Sequence, residues 1–434
     1  MYLAILGRKL DGLRYRIWRG AILRSGLLMT IALALVLIGL AVAVKERGRG
    51  NLHRLAVELK PKPTTTPTVV IQPGGQDPIV LQRAQIAGGI LPEFLSATLL
   101  PGRGMNVFQI TAYIPDRGEV PLLASPTVEV AAKEMSGSGD DANGAASLIM
   151  GGAFEVPWAN RIDGVAAPGG ESVLANWQGK TMSLPILKAN GLSGAVGGLL
   201  LKRRADDMST NVMPDGGQAQ AVYTAKNFDG HWLSQTEVTT SVLLSSRALE
   251  IKVVARNSGT EPEPIGIGWK PQFVIVSGDR AHVVLRLPNS ERVERKSDGS
   301  GLPTGRILPV TGTEFDFTQR DGANLGSKSL DESFVHLQQG LLDNGPTMEI
   351  RDTTAGYGLR LTMLTPTIKE LRVAAPEDKP VVSIAPQFNY DDPFGREWPK
   401  SEDTGMVELQ PGQSVQWKVR LELFPLNAAD PEHM

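Results

Sequence analysis

Short apolar runs, each bounded by turn-forming residues, recur along the chain from Ile79 onwards. Several are rich in β-branched residues and alternate in polarity, as Glu-Val-Thr-Thr-Ser-Val does at 237–242. This period of two is typical of a half-buried strand. The clearest runs predict strands at 219–224, 236–244, 249–255, 283–287, 358–364 and 415–423. No long amphipathic helical pattern lies between them, so the pattern predicts an all-β domain, a large antiparallel β-sandwich over residues 79–434.

The composition agrees with this prediction and excludes several functions. The chain has 434 residues with 47 glycines and 30 prolines, which suits many strands joined by turns. Its formal net charge of −2 provides no overall basic field, so we expect no nucleic-acid partner. The chain has no cysteine, which excludes disulfides, thiolate metal sites and a cysteine nucleophile. No spacing of His, Asp or Glu suggests a metal site, and we expect no cofactor.

The N-terminal 44 residues predict a membrane anchor. Residues 1–24 carry six basic side chains and one acid, and residues 25–44 are uncharged. Twenty helical residues span ~30 Å, about the thickness of a bilayer core. The basic excess before the span predicts a cytoplasmic N-terminus and an exported C-terminal domain, periplasmic in a Gram-negative cell. A cleaved signal peptide is the alternative, but its apolar region would ordinarily be shorter; basic flanks argue against a buried core helix.

Two further segments are expected to lack regular structure. Residues 45–78 include the run Lys-Pro-Lys-Pro-Thr-Thr-Thr-Pro at 60–67, which predicts an extended stalk between the anchor and the sandwich. Residues 136–144, Ser-Gly-Ser-Gly-Asp-Asp-Ala-Asn-Gly, predict a flexible surface loop.

The segment Gly-Ile-Gly-Trp-Lys-Pro-Gln-Phe at 266–273 carries a specific resemblance. It is similar to the Gly-x-Gly-x-His-Pro-x-Phe segment of the aldose 1-epimerases, or galactose mutarotases. Other motifs of that family recur in order between residues 90 and 424: Asn-Arg-Ile at 160–162, Pro-Thr-Gly at 303–305, Gly-Thr-Glu-Phe-Asp-Phe at 312–317, Asp-Glu-Ser-Phe at 331–334 and Leu-Gln-Pro-Gly at 409–412. Their order and spacing predict a galactose-mutarotase-like β-supersandwich.

The resemblance also implies a ligand site. An aldohexose-like sugar would be the ligand, and Arg161 and Asp331 would contact its hydroxyls. Asn160 and Gln387, which lie in the matching segments, are further candidates for substrate binding. Trp269 could stack on a sugar face, and the alternative is that it is a large core residue.

The positions that would handle protons depart from the family pattern. Mutarotation needs a base for the anomeric hydroxyl and an acid for the ring oxygen. The family's Glu-Pro-Gln base segment corresponds to Ala385-Pro-Gln here, so the base position is an alanine. The family's acidic histidine is replaced by Lys270, and a further family histidine corresponds to Ser193.

These departures leave three interpretations of the catalysis. The site has lost its activity, or Lys270 has taken over as an acid, base or Schiff-base nucleophile, or other acids act instead. Asp391, Asp392 and Glu155 are the nearest candidates for that last role.

Two functions remain open from the sequence. One is a membrane-anchored aldose 1-epimerase-like domain with a degenerate site, which binds carbohydrate or acts weakly on it. The alternative is a non-enzymatic structural subunit of a membrane complex. In that case residues 25–44 would pack against integral membrane partner subunits, and the sandwich would cover their exported face.

Overall fold

The structure is a computed structural model that describes residues 29–38, 40–41, 71–84, 89–187 and 194–426. The chain divides into two units, Met1–Val70 and Ile71–Met434. In the first unit, residues 29–38 and 40–41 are helical. No helix among the described residues combines the length and the apolar character that a membrane crossing requires. The rest of the predicted anchor (25–28, 39 and 42–44), the basic N-terminus 1–24 and stalk residues 45–70 lie outside the described residues, so the membrane topology stays a prediction.

The described part of the second unit consists mainly of strands, which confirms the prediction of a β-sandwich. The strands are β1 (Ile79–Gln82), β2 (Glu93–Leu100), β3 (Asn106–Ile114), β4 (Gly118–Pro121), β5 (Gly152–Glu155), β6 (Arg161–Ile162), β7 (Val165–Ala166), β8 (Ser172–Trp177), β9 (Lys180–Pro185), β10 (Ala195–Val196), β11 (Asp207–Met213), β12 (Gly216–Lys226), β13 (Thr236–Leu244), β14 (Ala248–Asn257), β15 (Glu263–Ile265), β16 (Gly268–Val274), β17 (Val283–Arg286), β18 (Glu291–Arg295), β19 (Pro303–Pro309), β20 (Ala323–Asn324), β21 (Leu330–Val335), β22 (Thr347–Asp352), β23 (Tyr357–Met363), β24 (Glu370–Ala375), β25 (Val381–Gln387), β26 (Val407–Leu409) and β27 (Ser414–Pro425).

Helices are short in this unit. The α-helix α1 (Val128–Glu134) begins after Thr127, whose hydroxyl accepts a hydrogen bond from the Val130 N–H. The described 3-10 helices are Pro73–Gly75, Pro101–Arg103, Gly139–Asp141, Ala145–Leu148, Phe228–Gly230 and Arg280–His282.

Two large antiparallel sheets make up the sandwich. The first sheet has eleven described strands in the order β1-β2-β3-β5-β16-β25-β24-β21-β18-β19, with β4 paired to β3. The second sheet has nine, in the order β11-β12-β13-β14-β27-β23-β22-β17-β20. Smaller sheets pair β6 with β10, β15 with β26, and β7 and β9 with β8. Sequence neighbours pair directly from β11 to β14 and between β22 and β23, so half of the pairings described in the second sheet are simple hairpins.

The main hydrophobic core lies between the two large sheets. Along β14, Leu249, Ile251 and Val253 are buried, and along β16, Trp269 and Phe273 are buried. The rings of Phe154 on the first sheet and Trp417 on the second meet edge to face, with centroids 6.3 Å apart. The alternation that predicted the strands therefore places one face of each sheet in the core.

Residues 136–144 are held in place more firmly than their composition predicts. Asp141 is buried and accepts two hydrogen bonds from the Arg103 guanidinium, each 2.8 Å long. The Asp141 carboxylate also accepts from the backbone N–H groups of Gly137 and Ala146. The surface position is confirmed, since residues 136–140 are exposed, and the anchoring of the segment to the sandwich by the Asp141 carboxylate was not predicted.

The sandwich also begins earlier than the sequence predicts. Residues 71–78, assigned above to the stalk, belong to the compact second unit. Arg204 Nε donates to the Gly74 carbonyl at 2.8 Å, and Gln76 Nε2 donates to the Ala205 carbonyl at 2.9 Å. Gly74 has φ 68°, and a Cβ there would lie 2.1 Å from the Gly102 oxygen, so a glycine is required at this contact.

We expect Asp141→Ala to destabilise the protein by about 3–5 kcal/mol, because it leaves the Arg103 guanidinium buried without its partner. Urea unfolding followed by tryptophan fluorescence measures the change. Glu261→Ala is the matched control, since it breaks the exposed pair between Lys180 and Glu261 and such pairs contribute about 0–1 kcal/mol. Equal effects of the two substitutions would contradict a structural role for the buried pair.

Candidate functional site

The residues predicted to bind a ligand come from strands β16, β21 and β25 of the first sheet and from Asn160 and Arg161 at the start of β6. Successive side chains of a strand point to opposite faces. Trp269 therefore points into the core, where it is 0% exposed and its Nε1 donates to the Gly152 carbonyl at 3.1 Å. Lys270 points to the outer face. The expected contact between Trp269 and a ligand is corrected accordingly, because only one of two adjacent strand residues can face the cleft.

On the outer face, Ala385 lies between two cationic side chains. Strands β16 and β25 are paired in a register that joins Gly268 to Gln387 and Gln272 to Ser383. Midway between these two pairs, Lys270 lies level with Ala385. On the other side of β25, Arg372 of β24 pairs with Ala385. Side chains paired in this way have their Cβ atoms about 5 Å apart. The alanine at the expected base position, 2% exposed, therefore places no polar group between Lys270 and Arg372.

This row opens into a cleft with a volume of about 280 Å³. Its lining brings together strands β6, β10, β16, β18, β21 and β24, the loop at 299–301, and the turn after β25. The lining residues are Asn160, Arg161, Val196, Lys270, Arg295, Gly299, Ser300, Gly301, Asp331, Arg372 and Asp391. Four of the sequence-predicted residues, Asn160, Arg161, Lys270 and Asp331, thus lie in one cleft.

Asn160 and Arg161 are positioned by a sharp turn before β6. Asn160 has φ 56°, a left-handed conformation that asparagine tolerates better than most residues. Its Nδ2 donates to Glu370 Oε1 and its backbone N–H to Glu155 Oε2, both at 3.3 Å. Gly268 lies below this turn, and a Cβ there would come within 2.7 Å of the Ala159 Cβ. The absence of a side chain at Gly268 lets the turn pack on the sheet.

An ion-pair network joins the polar walls of the cleft. The Asp391 carboxylate lies 3.5 Å from Arg372, 3.6 Å from Arg161 and 3.8 Å from Arg295. Arg372 also pairs with Asp331 at 2.8 Å. The Lys270 ammonium, in contrast, makes no hydrogen bond or ion pair with any residue that the structure describes. Lys270 is therefore the cleft cation with the most free capacity for a ligand.

Two carboxyls and an amide lie beneath the cleft floor. Glu155, Glu370 and Gln387 are each 0% exposed. Glu155 Oε1, Glu370 Oε2 and Gln387 Oε1 accept no hydrogen bond from the described residues. Burial raises the pKa of Glu155, against the field of Lys270, and raises the pKa of Glu370 to about 7. The predicted ligand contact Gln387 is thus a floor residue, with its Nε2 bonded to the Asn389 carbonyl at 2.8 Å.

The other proposed acids occupy different positions. Asp391 lines the cleft within the arginine network, whereas Glu155 lies below its floor. Asp392 does not line the cleft; its Oδ1 accepts from the Asp163 N–H at 2.9 Å, and burial raises its pKa to about 7. Ser193, at the position of the further family histidine, lies outside the described residues.

Sequence reasoning missed Arg295, Arg372 and Glu370. The alternation in Glu-Leu-Arg-Val-Ala-Ala at 370–375 could have marked Glu370 and Arg372 as residues of an outer strand face. It could not have shown that β24 lies beside β25, because that pairing depends on the sheet order.

The cleft can bind a polar ligand of monosaccharide size through arginine, asparagine and lysine donors and the Asp331 carboxylate. In the described part of the chain, no three His, Cys, Asp or Glu side chains are arranged to hold a metal ion. The described lining of the cleft includes no histidine, and the two carboxylates of the lining, Asp331 and Asp391, are paired with arginines.

Comparison with known proteins identifies the fold. The family model of aldose 1-epimerase matches residues 137–422. A galactose mutarotase-like protein from Clostridium acetobutylicum is 17% identical with a TM-score of 0.63, covering 80% of this chain and 98% of that chain. An aldose epimerase homologue from C. elegans is 18% identical with a TM-score of 0.58, covering 76% and 96%. Galactose 1-epimerase from Lactobacillus acidophilus is 13% identical with a TM-score of 0.55, covering 81% and 99%. At these identities the structural similarities concern the fold alone. No curated protein sequence matches this chain.

The buried carboxyl of Glu370 should make stability depend on pH. Its folded pKa of about 7 lies above the unfolded value, so the folded state retains the proton while the unfolded state loses it. The free energy of unfolding should therefore fall as pH rises from about 4.5 to about 7, by up to about 3 kcal/mol from this group. Urea titrations at pH 5 and pH 8 measure this fall, and Glu370→Gln should reduce it.

Glu408→Gln changes an exposed carboxyl and should keep the wild-type pH dependence. If Glu370→Gln also keeps it, the Glu370 carboxyl does not retain its proton in the folded state.

Proposed function

The chain belongs to the aldose 1-epimerase family, and from this we propose that it is a membrane-anchored saccharide-binding member whose proton-transfer site is degenerate. The observation that carries the proposal is the row Lys270–Ala385–Arg372 on the cleft face of the first sheet. The family resemblance places the catalytic base at the centre of this row, and alanine has no group that can accept a proton.

The binding half of the proposal is supported by the walls of the cleft. Arg161 and Asp331, which the resemblance assigns to sugar hydroxyls, line the same cleft as Asn160. Their side chains are held by other residues: Arg161 Nη1 donates to the Ser300 carbonyl at 2.9 Å, and Asp331 pairs with Arg372. Such preorganised donors and acceptors lower the entropic cost of holding a sugar.

The loss of catalysis is supported by the position of the remaining acids. A general base must lie within hydrogen-bond reach of the proton it removes, directly or through one water. Glu155 and Glu370 lie beneath the floor, and Asp391 is surrounded by three arginines. Asp331, the other carboxylate of the lining, is paired with Arg372 at 2.8 Å. Lys270 also lines the cleft, and a cationic lysine has no lone pair with which to accept a proton.

We expect the full chain, purified in a detergent without a sugar headgroup, to accelerate mutarotation of D-glucose or D-galactose little over buffer. Polarimetry on freshly dissolved α-anomers measures the rate. Turnover of ~1–10³ per second, the ordinary enzyme range, would contradict the degenerate site. If Lys270→Ala abolished that turnover, Lys270 would carry altered chemistry; if it did not, the catalytic groups would lie elsewhere.

The double variant Ala385→Glu with Lys270→His tests what was lost. Recovered activity would show that the sugar cleft persists and that the proton-transfer groups alone are missing. A folded double variant without activity and without sugar binding would favour the structural-subunit function.

Membrane anchoring is the second part of the proposal. It is supported by the uncharged run 25–44 with its basic flanks and by helical residues 29–38 and 40–41, whose apolar side chains are exposed. A helix with apolar residues on all sides favours an apolar surrounding. Purification from detergent-solubilised membranes distinguishes the two functions. A protein that purifies alone favours the saccharide-binding function, and one that purifies with fixed partner subunits favours the structural function.

For the topology, we expect a reporter that is active only after export to be active when fused after Met434, because the basic N-terminus should stay in the cytoplasm. A reporter active only in the cytoplasm, fused at the same place, should be inactive. The opposite pair of results would reverse the predicted orientation.

A further inference from the structure

The lining of the cleft has an excess of positive charge. It contains four cationic side chains, Arg161, Lys270, Arg295 and Arg372, and two carboxylates, Asp331 and Asp391. A neutral sugar needs no such excess, because its hydroxyls are satisfied equally by uncharged donors and acceptors.

The free capacity for a ligand is concentrated at the row through Ala385. Arg372 already pairs with Asp331 and Asp391, but Lys270 has three N–H donors and no partner among the described residues. The Nε of Arg295 is buried and likewise donates no hydrogen bond to a described residue. An unpaired buried donor costs free energy unless a ligand or water accepts its hydrogen bond.

Ala385 contributes no polar group between Lys270 and Arg372, because its side chain is a buried methyl group, 2% exposed. The family resemblance places a carboxylate at this position and a histidine at position 270. This chain instead has a lysine at position 270 and no carboxylate at position 385.

We propose that the saccharide bound by this cleft carries an anionic group, a carboxylate or a phosphate, which binds between Lys270 and Arg372. The inference rests on the proposed saccharide-binding function and specifies its ligand class. The ligand anion supplies the charge that the chain lacks at position 385. A volume of about 280 Å³ lies at the small end of ligand cavities, ~300–1,000 Å³, so the ligand is a single sugar unit.

The groups beneath the floor are consistent with this charge balance. Burial raises the pKa of Glu155 and raises the pKa of Glu370 to about 7, so near neutral pH Glu370 adds less negative charge than a fully ionised carboxylate would. Asp331 and Asp391 are committed to arginines. The field at the row therefore stays positive where the ligand anion would bind.

Isothermal titration calorimetry on the full chain, in a detergent without a sugar headgroup, tests the inference. The ligands are D-glucose, D-glucuronate, D-glucose 6-phosphate and inorganic phosphate. We expect the charged sugars to bind at least about 10-fold more tightly than D-glucose, because charge-assisted hydrogen bonds are the stronger ones. The charged sugar that binds with the lower dissociation constant identifies the anion as a carboxylate or a phosphate.

Two variants locate the preference in the row. Lys270→Met keeps the aliphatic stem and removes the charge. Ala385→Glu introduces a carboxylate between Lys270 and Arg372. Each should bring the ratio between the dissociation constants of neutral and charged sugars close to one. Lys252→Met is the matched control, because Lys252 is a partly exposed lysine between core positions of β14 in the second sheet, and its ratio should stay at the wild-type value. Circular dichroism and the Tm confirm that each variant is folded.

Each other outcome contradicts a distinct statement. Equal affinity for D-glucose and the charged sugars overturns the anionic ligand and leaves the saccharide-binding function intact. Phosphate that binds as tightly as D-glucose 6-phosphate overturns the contribution of the sugar ring. Failure of every sugar to bind overturns the proposed function and this inference with it.

Discussion

The central strands of the first sheet must bury one face and leave the other to a cleft, and the rest of the structure depends on this alternation. In β16, Trp269 packs in the core while Lys270 faces the cleft; in β24, Leu371 and Arg372 divide in the same way. A shift of one residue in either strand would place a cation in the core and an aromatic or aliphatic side chain in the cleft. The core that stabilises the sandwich therefore also fixes the register of the ligand site.

The charges of the site are arranged in two layers with different roles. In the upper layer, Arg161, Arg295 and Arg372 surround Asp391 and hold the walls together. In the lower layer, Glu155 and Glu370 support the Asn160 turn through hydrogen bonds of 3.3 Å. Because the lower carboxyls are buried and incompletely paired, their charge is suppressed, and the upper layer determines the field that a ligand meets.

The alternating runs sufficed to predict the fold class, and β13 begins and ends at the predicted residues 236 and 244. The motifs that carry the family resemblance identified Asn160, Arg161, Lys270 and Asp331, which the structure places in one cleft. Arg295 and Arg372 were missed because their place depends on which strands are neighbours, and no local pattern records the order β25-β24-β21-β18. The error at Trp269 had a local signal, since Trp269 and Lys270 are adjacent in a strand. The anchoring of residues 136–144 had no local signal, because the partner of Asp141 is Arg103, which is distant in sequence.

The substitutions at positions 270 and 385 have a joint physical consequence that neither has alone. An imidazole opposite a carboxylate forms a pair whose members titrate within reach of neutral pH and can exchange a proton with a substrate. A lysine beside an alanine instead has no carboxylate opposite it with which to share the work of proton transfer. In the proposed function, the row attracts an anion rather than moving protons, and the surrounding arginine network and the fold are compatible with both roles. The proposal therefore assigns binding to the walls of the cleft and proton transfer to a single cross-strand row.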